Sequence, residues 1–170
     1  MKHNFMNQAY LCLGGNLGNS EEIFAKCLEL MMLKNIVINN VSSVYTSPAW
    51  GMESAPDFYN QVVHVNTGQV APELLQTLLG IEKELGRERN AGKRYESRTI
   101  DIDILFFNRE IIDEDHLQVP HPRLHLRRFV LEPLCQLAPD LMHPALNKTI
   151  ARLLKECPDT STVKKIMHAA

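Results

Sequence analysis

Residues 98–107 read RTIDIDILFF. The run is apolar enough for a buried strand, yet Asp101 and Asp103 stand inside it. Side chains alternate faces along a strand, so residues two apart point the same way. Asp101 and Asp103 therefore share one face, with Cα atoms about 6.6 Å apart at roughly 3.3 Å rise per residue. Ile100, Ile102 and Ile104 share the other face and can enter a core. Neighbouring carboxylates repel each other and resist burial. The stretch predicts a strand with one face in the core and the other turned toward something positive.

The flanking sequence supplies the rest of a sheet. Residues 9–13 (AYLCL) read as a short buried strand stopped by Gly14 and Gly15. Asn19 or Ser20 can cap a helix, with Glu21 and Glu22 placed for its dipole and Ile23, Cys27, Leu30 and Met31 as its apolar stripe. Residues 36–47 (IVINNVSSVYTS) are rich in β-branched side chains and predict one strand, and residues 58–67 (FYNQVVHVNT) another. Pro72 suits the first turn of a second helix, whose buried face is Leu74, Leu78, Ile81 and Leu85 and whose end is Gly86. Beyond the aspartate strand come a turn at Asn108-Arg109, a strand-like piece at 110–112, a helix over 126–137 interrupted by Pro133, and a last helix over 148–157. The order β-α-β-β-α-β predicts an α+β, ferredoxin-like fold: an antiparallel sheet, helices on one face, and C-terminal helical additions. A flavodoxin-like parallel sheet fits less well, because no helix separates the second and third strands.

At 170 residues, one domain spanning 1–170 is expected. A composition of 45% hydrophobic and 22% charged residues is that of a soluble globular protein, and a net charge of −2 predicts no general attraction to nucleic acid or membrane. No apolar run is long enough to cross a bilayer, and MKHNFMNQ has no signal core. The four cysteines lack metal or redox spacing and read as reduced thiols, so a cytoplasmic location is expected. His64 reads as a satisfied structural histidine, and His143 gives no signal.

An Asp-x-Asp pair recurs by chance and can simply answer arginines. Its apolar setting favours a hard cation, since magnesium is commonly held by one or two carboxylates plus substrate phosphates. The absence of nearby His or Cys argues against zinc. Arg87, Arg89, Lys93, Arg94 and Arg98 crowd the preceding segment, opposed only by Glu88 and Glu96. Magnesium with several arginines describes a polyphosphate cradle. Neither G-x-x-x-x-G-K-[ST] nor G-x-G-x-x-G is present, which excludes the P-loop and dinucleotide-fold routes to phosphate.

RTIDIDILFF, the basic segment before it and VPHPRLHLRRFVLEPL (119–134) after it resemble the 6-hydroxymethyl-7,8-dihydropterin pyrophosphokinase family of folate biosynthesis. AYLCLGGNLGN (9–19), SSVYTSPAWG (42–51) and PDFYNQVV (56–63) follow the same family in the same order, so the resemblance runs from about 9 to about 144. It implies a ferredoxin-like fold and transfer of the β,γ-pyrophosphoryl group of ATP to the hydroxymethyl oxygen of the reduced pterin, with release of AMP. It implies Asp101 and Asp103 as ligands of two Mg2+ ions, and Arg87 and Arg98 on the triphosphate. Arg89 and Lys93, with Arg94, match a basic loop. Glu82 and His121 match nucleotide-binding positions, and Ile104 one that contacts adenine. For the pterin, Phe58 and Phe129 match two sandwiching rings, Asn60 an edge hydrogen bond, Ser47, Pro48, Ala49 and Trp50 a segment that reads the pterin edge, and Arg127 a nearby arginine. Taken alone, Phe58 and Phe129 read as core aromatics.

Some residues depart from the family pattern. Tyr95-Glu96-Ser97 stands where the family often has Trp-Gly-Pro, Trp50 replaces a smaller aliphatic, Leu79 a glutamine and His116 an arginine. A monomer is expected, with ATP and the reduced pterin as its partners and no nucleic acid or membrane. Two rivals use the same residues: a metal-dependent nuclease or nucleotidyltransferase, which would ignore pterin, and a nucleotide-binding regulator, which would bind ATP without turnover.

Overall fold

The structure, a computed structural model, describes residues 6–49, 55–87 and 97–166. Trp50, Arg89, Lys93, Arg94 and Tyr95 lie outside the described residues. The elements are β1 (Asn7–Gly15), α1 (Ser20–Leu33), β2 (Val37–Val41), β3 (Tyr45–Ser47), β4 (Phe58–Thr67), α2 (Ala71–Glu84), β5 (Asp101–Phe107), β6 (Ile112–Glu114), β7 (Leu117–Val119), α3 (Arg128–Leu137), α4 (Ile150–Glu156) and β8 (Lys164–Lys165). A 3-10 turn at Leu124–Leu126 precedes α3.

The main sheet runs β5-β1-β4-β3-β8, with β2 also on β4, and every pairing is antiparallel. The parallel alternative is thereby excluded. β1 pairs with β4 along its whole length, from Asn7 opposite Thr67 to Gly15 opposite Tyr59. β5 lies on the far side of β1 and places Asp101 opposite Gly14 and Asp103 opposite Cys12.

The expected strand over 36–47 is two strands, and Ser42 is the reason. Its N–H donates to the Val62 carbonyl (2.9 Å), while its hydroxyl, in place of a carbonyl, accepts the Val62 N–H (2.9 Å). A side chain that substitutes for the backbone in the ladder breaks its regular spacing. α1 begins as its sequence predicts: the Asn19 side chain accepts from the Glu22 N–H, and Phe24, Cys27 and Met31 are buried. α2 buries Leu74, Leu78 and Ile81, each contributing about 1.5–3 kcal/mol.

Helices cover both faces of the sheet, not one. α1 and α2 pack on Leu11, Leu13, Val63, Val65, Ile100, Ile102, Ile104 and Phe107. α3 and α4 pack on the opposite face, against Cys12, Val62, Leu105 and Phe106. The aspartate face of β5 is therefore covered by the C-terminal helices at one end and left open at the other. A register shift between Tyr10 and Leu11 lets Leu105 and Phe106 both enter the second core. Pro133 lies within α3 and is buried, leaving the Phe129 carbonyl without its helical donor but not ending the helix.

Two glycines test this packing in opposite directions. A Cβ on Gly15 would lie 2.4 Å from the Thr99 carbonyl oxygen, a backbone atom that cannot rotate away. Gly80, inside α2, has nothing within 4 Å of the same position. Gly15→Ala is expected to lower stability by about 2 kcal/mol and Gly80→Ala to raise it by about 0.5–1 kcal/mol, both read by urea unfolding.

Candidate active site

The open end of the aspartate face is a cleft. Ser47, Pro48, Phe58, Asn60, Arg98, Asp101, Asp103, Arg127 and Phe129 line it, together with Cys12, Gly14 and Val130. Sequence positions from 12 to 130 thus converge because β1, β3, β4, β5 and the start of α3 meet there. Ala49 is described but does not line the cleft.

The positive partners of the aspartates are specific. Arg87 Nη1 pairs with Asp101 Oδ1, and Arg98 Nη1 stands 3.2 Å from Asp101 Oδ2. Arg87 is itself anchored from behind by Glu82 Oε2 at 2.8 Å. Glu82 is only 2% exposed, and its Oε1 accepts the Ile102 N–H at 2.7 Å. β5 is an edge strand, so this N–H has no neighbouring strand to meet; Glu82 supplies the acceptor. Burial would lower the Arg87 pKa, but Asp101 and Glu82 outweigh it and raise it. One buried carboxylate therefore fixes both the strand edge and the arginine.

Asp103 is placed differently. Burial, and then repulsion from Asp101, push its carboxyl up to about 7, against the fields of Arg127 and Arg98. His121 Nε2 is 3.8 Å from Asp103 Oδ2, too far for a hydrogen bond. The imidazole is pushed down to about 4 by burial and by Arg127 and Arg123, so it is neutral at pH 7 and the contact is not an ion pair. His121 Nδ1 accepts the Arg123 N–H (3.2 Å), which assigns the ring proton to Nε2, the atom facing Asp103.

The apolar walls carry two guanidinium-aromatic contacts. Arg98 lies 5.5 Å from the Phe58 ring centre, and Arg127 lies 5.7 Å from that of Phe129. Asn60 is 3% exposed, and its Nδ2 has no partner among the described residues. Arg98 Nε is likewise buried without one. A buried donor left unpaired costs about 1–3 kcal/mol, so both atoms favour a ligand that accepts hydrogen bonds. Asn60 Oδ1 sits 3.1 Å from where a Gly14 Cβ would be, so any larger residue there would press the amide back by a few tenths of an ångström.

Ile104 enters the core, as the alternation along the strand predicts. It is 5% exposed and packs in the core under α1 and α2. The His64 ring stacks on Tyr10 at 4.6 Å, but its Nε2 is buried and unpartnered among the described residues, so it is not the satisfied histidine expected. His143, silent in the sequence, accepts the Ala145 and Leu146 N–H groups through Nδ1 and shapes the loop before α4. All four cysteines are free, and burial, with help from Asp103 and Asp101, raises the Cys12 thiol far out of its reactive range.

Asn16 is the residue that sequence reasoning missed. It is 6% exposed; its Oδ1 accepts the Arg98 N–H (2.9 Å), and its Nδ2 donates to Ser97 Oγ (3.1 Å) and the Pro56 carbonyl (3.3 Å). Its own N–H donates to the Arg98 carbonyl at 3.0 Å. It ties the arginine to the segment that leads into β4. The signal was an asparagine directly after Gly14-Gly15, between the end of β1 and the start of α1; the Ser97 contact uses one of the departures from the family pattern.

A family model described as 7,8-dihydro-6-hydroxymethylpterin-pyrophosphokinase matches residues 10–139. The chain belongs to this family. A 2-amino-4-hydroxy-6-hydroxymethyldihydropteridine pyrophosphokinase of Aquifex aeolicus is 36% identical over 159 residues, covering 94% of this chain and 95% of that protein. The Bacillus subtilis protein of the same name is 40% identical over 132 residues, 77% of this chain and 78% of its own. The folic acid synthesis protein fol1 of Pneumocystis carinii is 39% identical over 150 residues, 88% of this chain, which spans only 20% of that longer relative. Among solved structures, wild-type Plasmodium falciparum HPPK-DHPS aligns with a TM-score of 0.69 at 18% identity over 91% of this chain and 42% of that one, a likeness of fold. The family match and the cleft coincide: each lining residue lies within 10–139.

Asp103 gives a pH test. Between about pH 4 and pH 7 the folded protein holds the Asp103 proton while the unfolded chain has lost it, so stability falls as pH rises through that window. Asp103→Asn removes the effect. In metal-free buffer the variant should match the parent near pH 4 and exceed it by about 1 kcal/mol above pH 7, a figure reduced for screening because 38% of the side chain is exposed. Urea melts in EDTA across that range read it directly.

Proposed function

We propose that this cleft is where the chain transfers the β,γ-pyrophosphoryl group of ATP to 6-hydroxymethyl-7,8-dihydropterin, the reaction of tetrahydrofolate biosynthesis implied by its family. The observation that carries the reading is the meeting of an aromatic slot and an acid-arginine cluster in one cavity. The pterin is flat and rich in hydrogen-bonding edges. Phe58 and Phe129 would sandwich it, the unpaired Asn60 Nδ2 would donate to its edge, and Ser47 and Pro48 would bound it. Arg127, held beside Phe129, keeps that wall positive.

The hydroxymethyl oxygen attacks the β-phosphorus, the bond between the α-phosphate oxygen and the β-phosphorus breaks, the hydroxyl proton departs and AMP leaves. Arg98 borders the aspartates and the Phe58 wall, so it stands where charge would develop on the bridging phosphates. Arg87 is oriented by Glu82 and Asp101 before substrate arrives; Glu82 thus supports the nucleotide by holding Arg87. His121 offers a neutral Nε2–H to a phosphate oxygen near Asp103. Arg89 and Lys93 belong to the same reading as further triphosphate contacts, and Trp50 and Ala49 as the continuation of the pterin segment.

Asp101 and Asp103 would hold the two Mg2+ ions. Among the described residues no group of three metal-ligating side chains is present, so the remaining ligands would be phosphate and water oxygens, the usual arrangement for magnesium with a nucleotide. The metal would neutralise the triphosphate and activate the attacking hydroxyl. The element order and the sheet order β5-β1-β4-β3 support the ferredoxin-like assignment for the core. We read the chain as a single cytoplasmic pyrophosphokinase domain, active as a monomer.

Asp101→Ala and Asp103→Ala should each cut turnover by at least about a thousandfold while the folded state persists, and full activity in either would refute the metal assignment. Phe129→Ala should weaken pterin about tenfold or more and ATP by less than twofold in calorimetry. Equal losses would remove the stacking role.

A further inference from the structure

The C-terminal segment touches the elements that carry both walls of the cleft, α3 and β3, although residues 140–170 lie outside the family match. α3 carries one wall through Arg127 and Phe129, and its first turn has orphan N–H groups like any helix. Its N-cap residue, Arg127, makes no side-chain capping bond. The acceptor comes from 31 residues downstream: Asp159 Oδ2 takes the Arg128 N–H at 3.0 Å. The Asp159 carbonyl also accepts from Arg128 Nε at 3.0 Å, and Glu132 takes its Nη1 at 2.8 Å. Asp159 Oδ1 accepts the Ser161 N–H at 2.9 Å, which fixes the carboxylate. Burial raises this carboxyl, but the Ser161 and Arg128 donors outweigh it and lower it, so Asp159 is charged at neutral pH, as suits a helix N-terminus.

From Asp159 the chain runs to β8, which pairs with β3: Lys164 opposite Thr46 and Lys165 opposite Tyr45, with the Ile166 N–H donating to the Val44 carbonyl at 2.8 Å. β3 ends at Ser47, which with Pro48 lines the other wall. Residues 159–166 therefore join the start of α3 to the strand that delivers Ser47. A second tie runs directly between these elements, where Gln136 Oε1 accepts from the Ser43 N–H and the Tyr45 hydroxyl, both at 3.0 Å.

We propose that Asp159 is a positioning residue for the pterin-side wall: it caps α3 from outside the helix and sets Arg127 and Phe129 against the β3 wall. The inference rests on reading this cleft as the pterin site. Asp159 touches no substrate, so its loss should appear in pterin affinity and not in nucleotide affinity.

The test uses the full chain with Asp159→Ala, Asp159→Asn and Phe129→Ala. Pterin is titrated calorimetrically with Mg2+ and α,β-methylene-ATP present, an analogue whose Pα–Pβ bridge cannot be cleaved, and steady-state KM values are measured for both substrates with ATP. Asp159→Ala should raise the pterin Kd and KM about fivefold, the size of a lost N-cap, with the ATP KM within twofold. Asp159→Asn keeps an oxygen for the Arg128 N–H and should recover most of the loss. An unchanged pterin Kd in Asp159→Ala, with Phe129→Ala weakened, overturns the positioning role alone. A parallel rise in both KM values in Asp159→Asn also overturns it, since that is general loosening. A parent protein that binds no pterin overturns the cleft reading and this inference with it.

Discussion

Two like charges on one face of an edge strand set the terms for the structure around them. Asp101 and Asp103 lie in β5 because its other face, Ile100, Ile102 and Ile104, is locked into the core beneath α1 and α2. The strand cannot slip by one residue without burying the carboxylates and exposing the isoleucines. The carboxylates are then held apart electrostatically. Asp101 is satisfied by Arg87 and Arg98, while Asp103 is left with a carboxyl that prefers its proton.

The supports for this pair come from three directions. Glu82 on α2 holds Arg87 and the outer edge of β5. Asn16, at the end of β1, holds the main chain of Arg98 on both sides of its peptide. Gly15 lets β1 approach the Thr99 carbonyl more closely than a side chain would allow, and Gly14 lies close against Asn60. Each of these groups fixes a neighbour: Glu82 holds Arg87, Asn16 holds Arg98, and Gly14 lies against Asn60. The aromatic walls belong to other elements, β4 and α3, so the cavity depends on how the second core, beneath α3 and α4, seats α3 on the sheet.

Much of this was legible in the sequence, and the reasons differ by residue. The period-two pattern of RTIDIDILFF announced the strand, its faces and the need for a cation. The antiparallel order followed from the missing helix between the second and third strands. The helix stop at Gly86 was readable from residue type alone, and the start was narrowed to Asn19 or Ser20, of which Asn19 is the cap. The split at Ser42 was not, because it depends on which partner accepts the Val62 N–H across the sheet. Covering of the second face was missed because amphipathic helices do not say which face they seek. Phe58 and Phe129 looked like core aromatics until the family pattern and then the cleft joined them. Asn16 and Asp159 escaped because their roles are long-range hydrogen bonds to backbone, 82 and 31 residues away, which leave no local period.

The most direct test of the account is the identity of the nucleotide product. Protein, Mg2+ and ATP are incubated with and without 6-hydroxymethyl-7,8-dihydropterin, and AMP and ADP are separated by chromatography. The account predicts AMP, formed only when pterin is present and in equal amount to the pterin diphosphate. ADP as the product would contradict it, because the bond to the γ-phosphorus would then be the one that breaks.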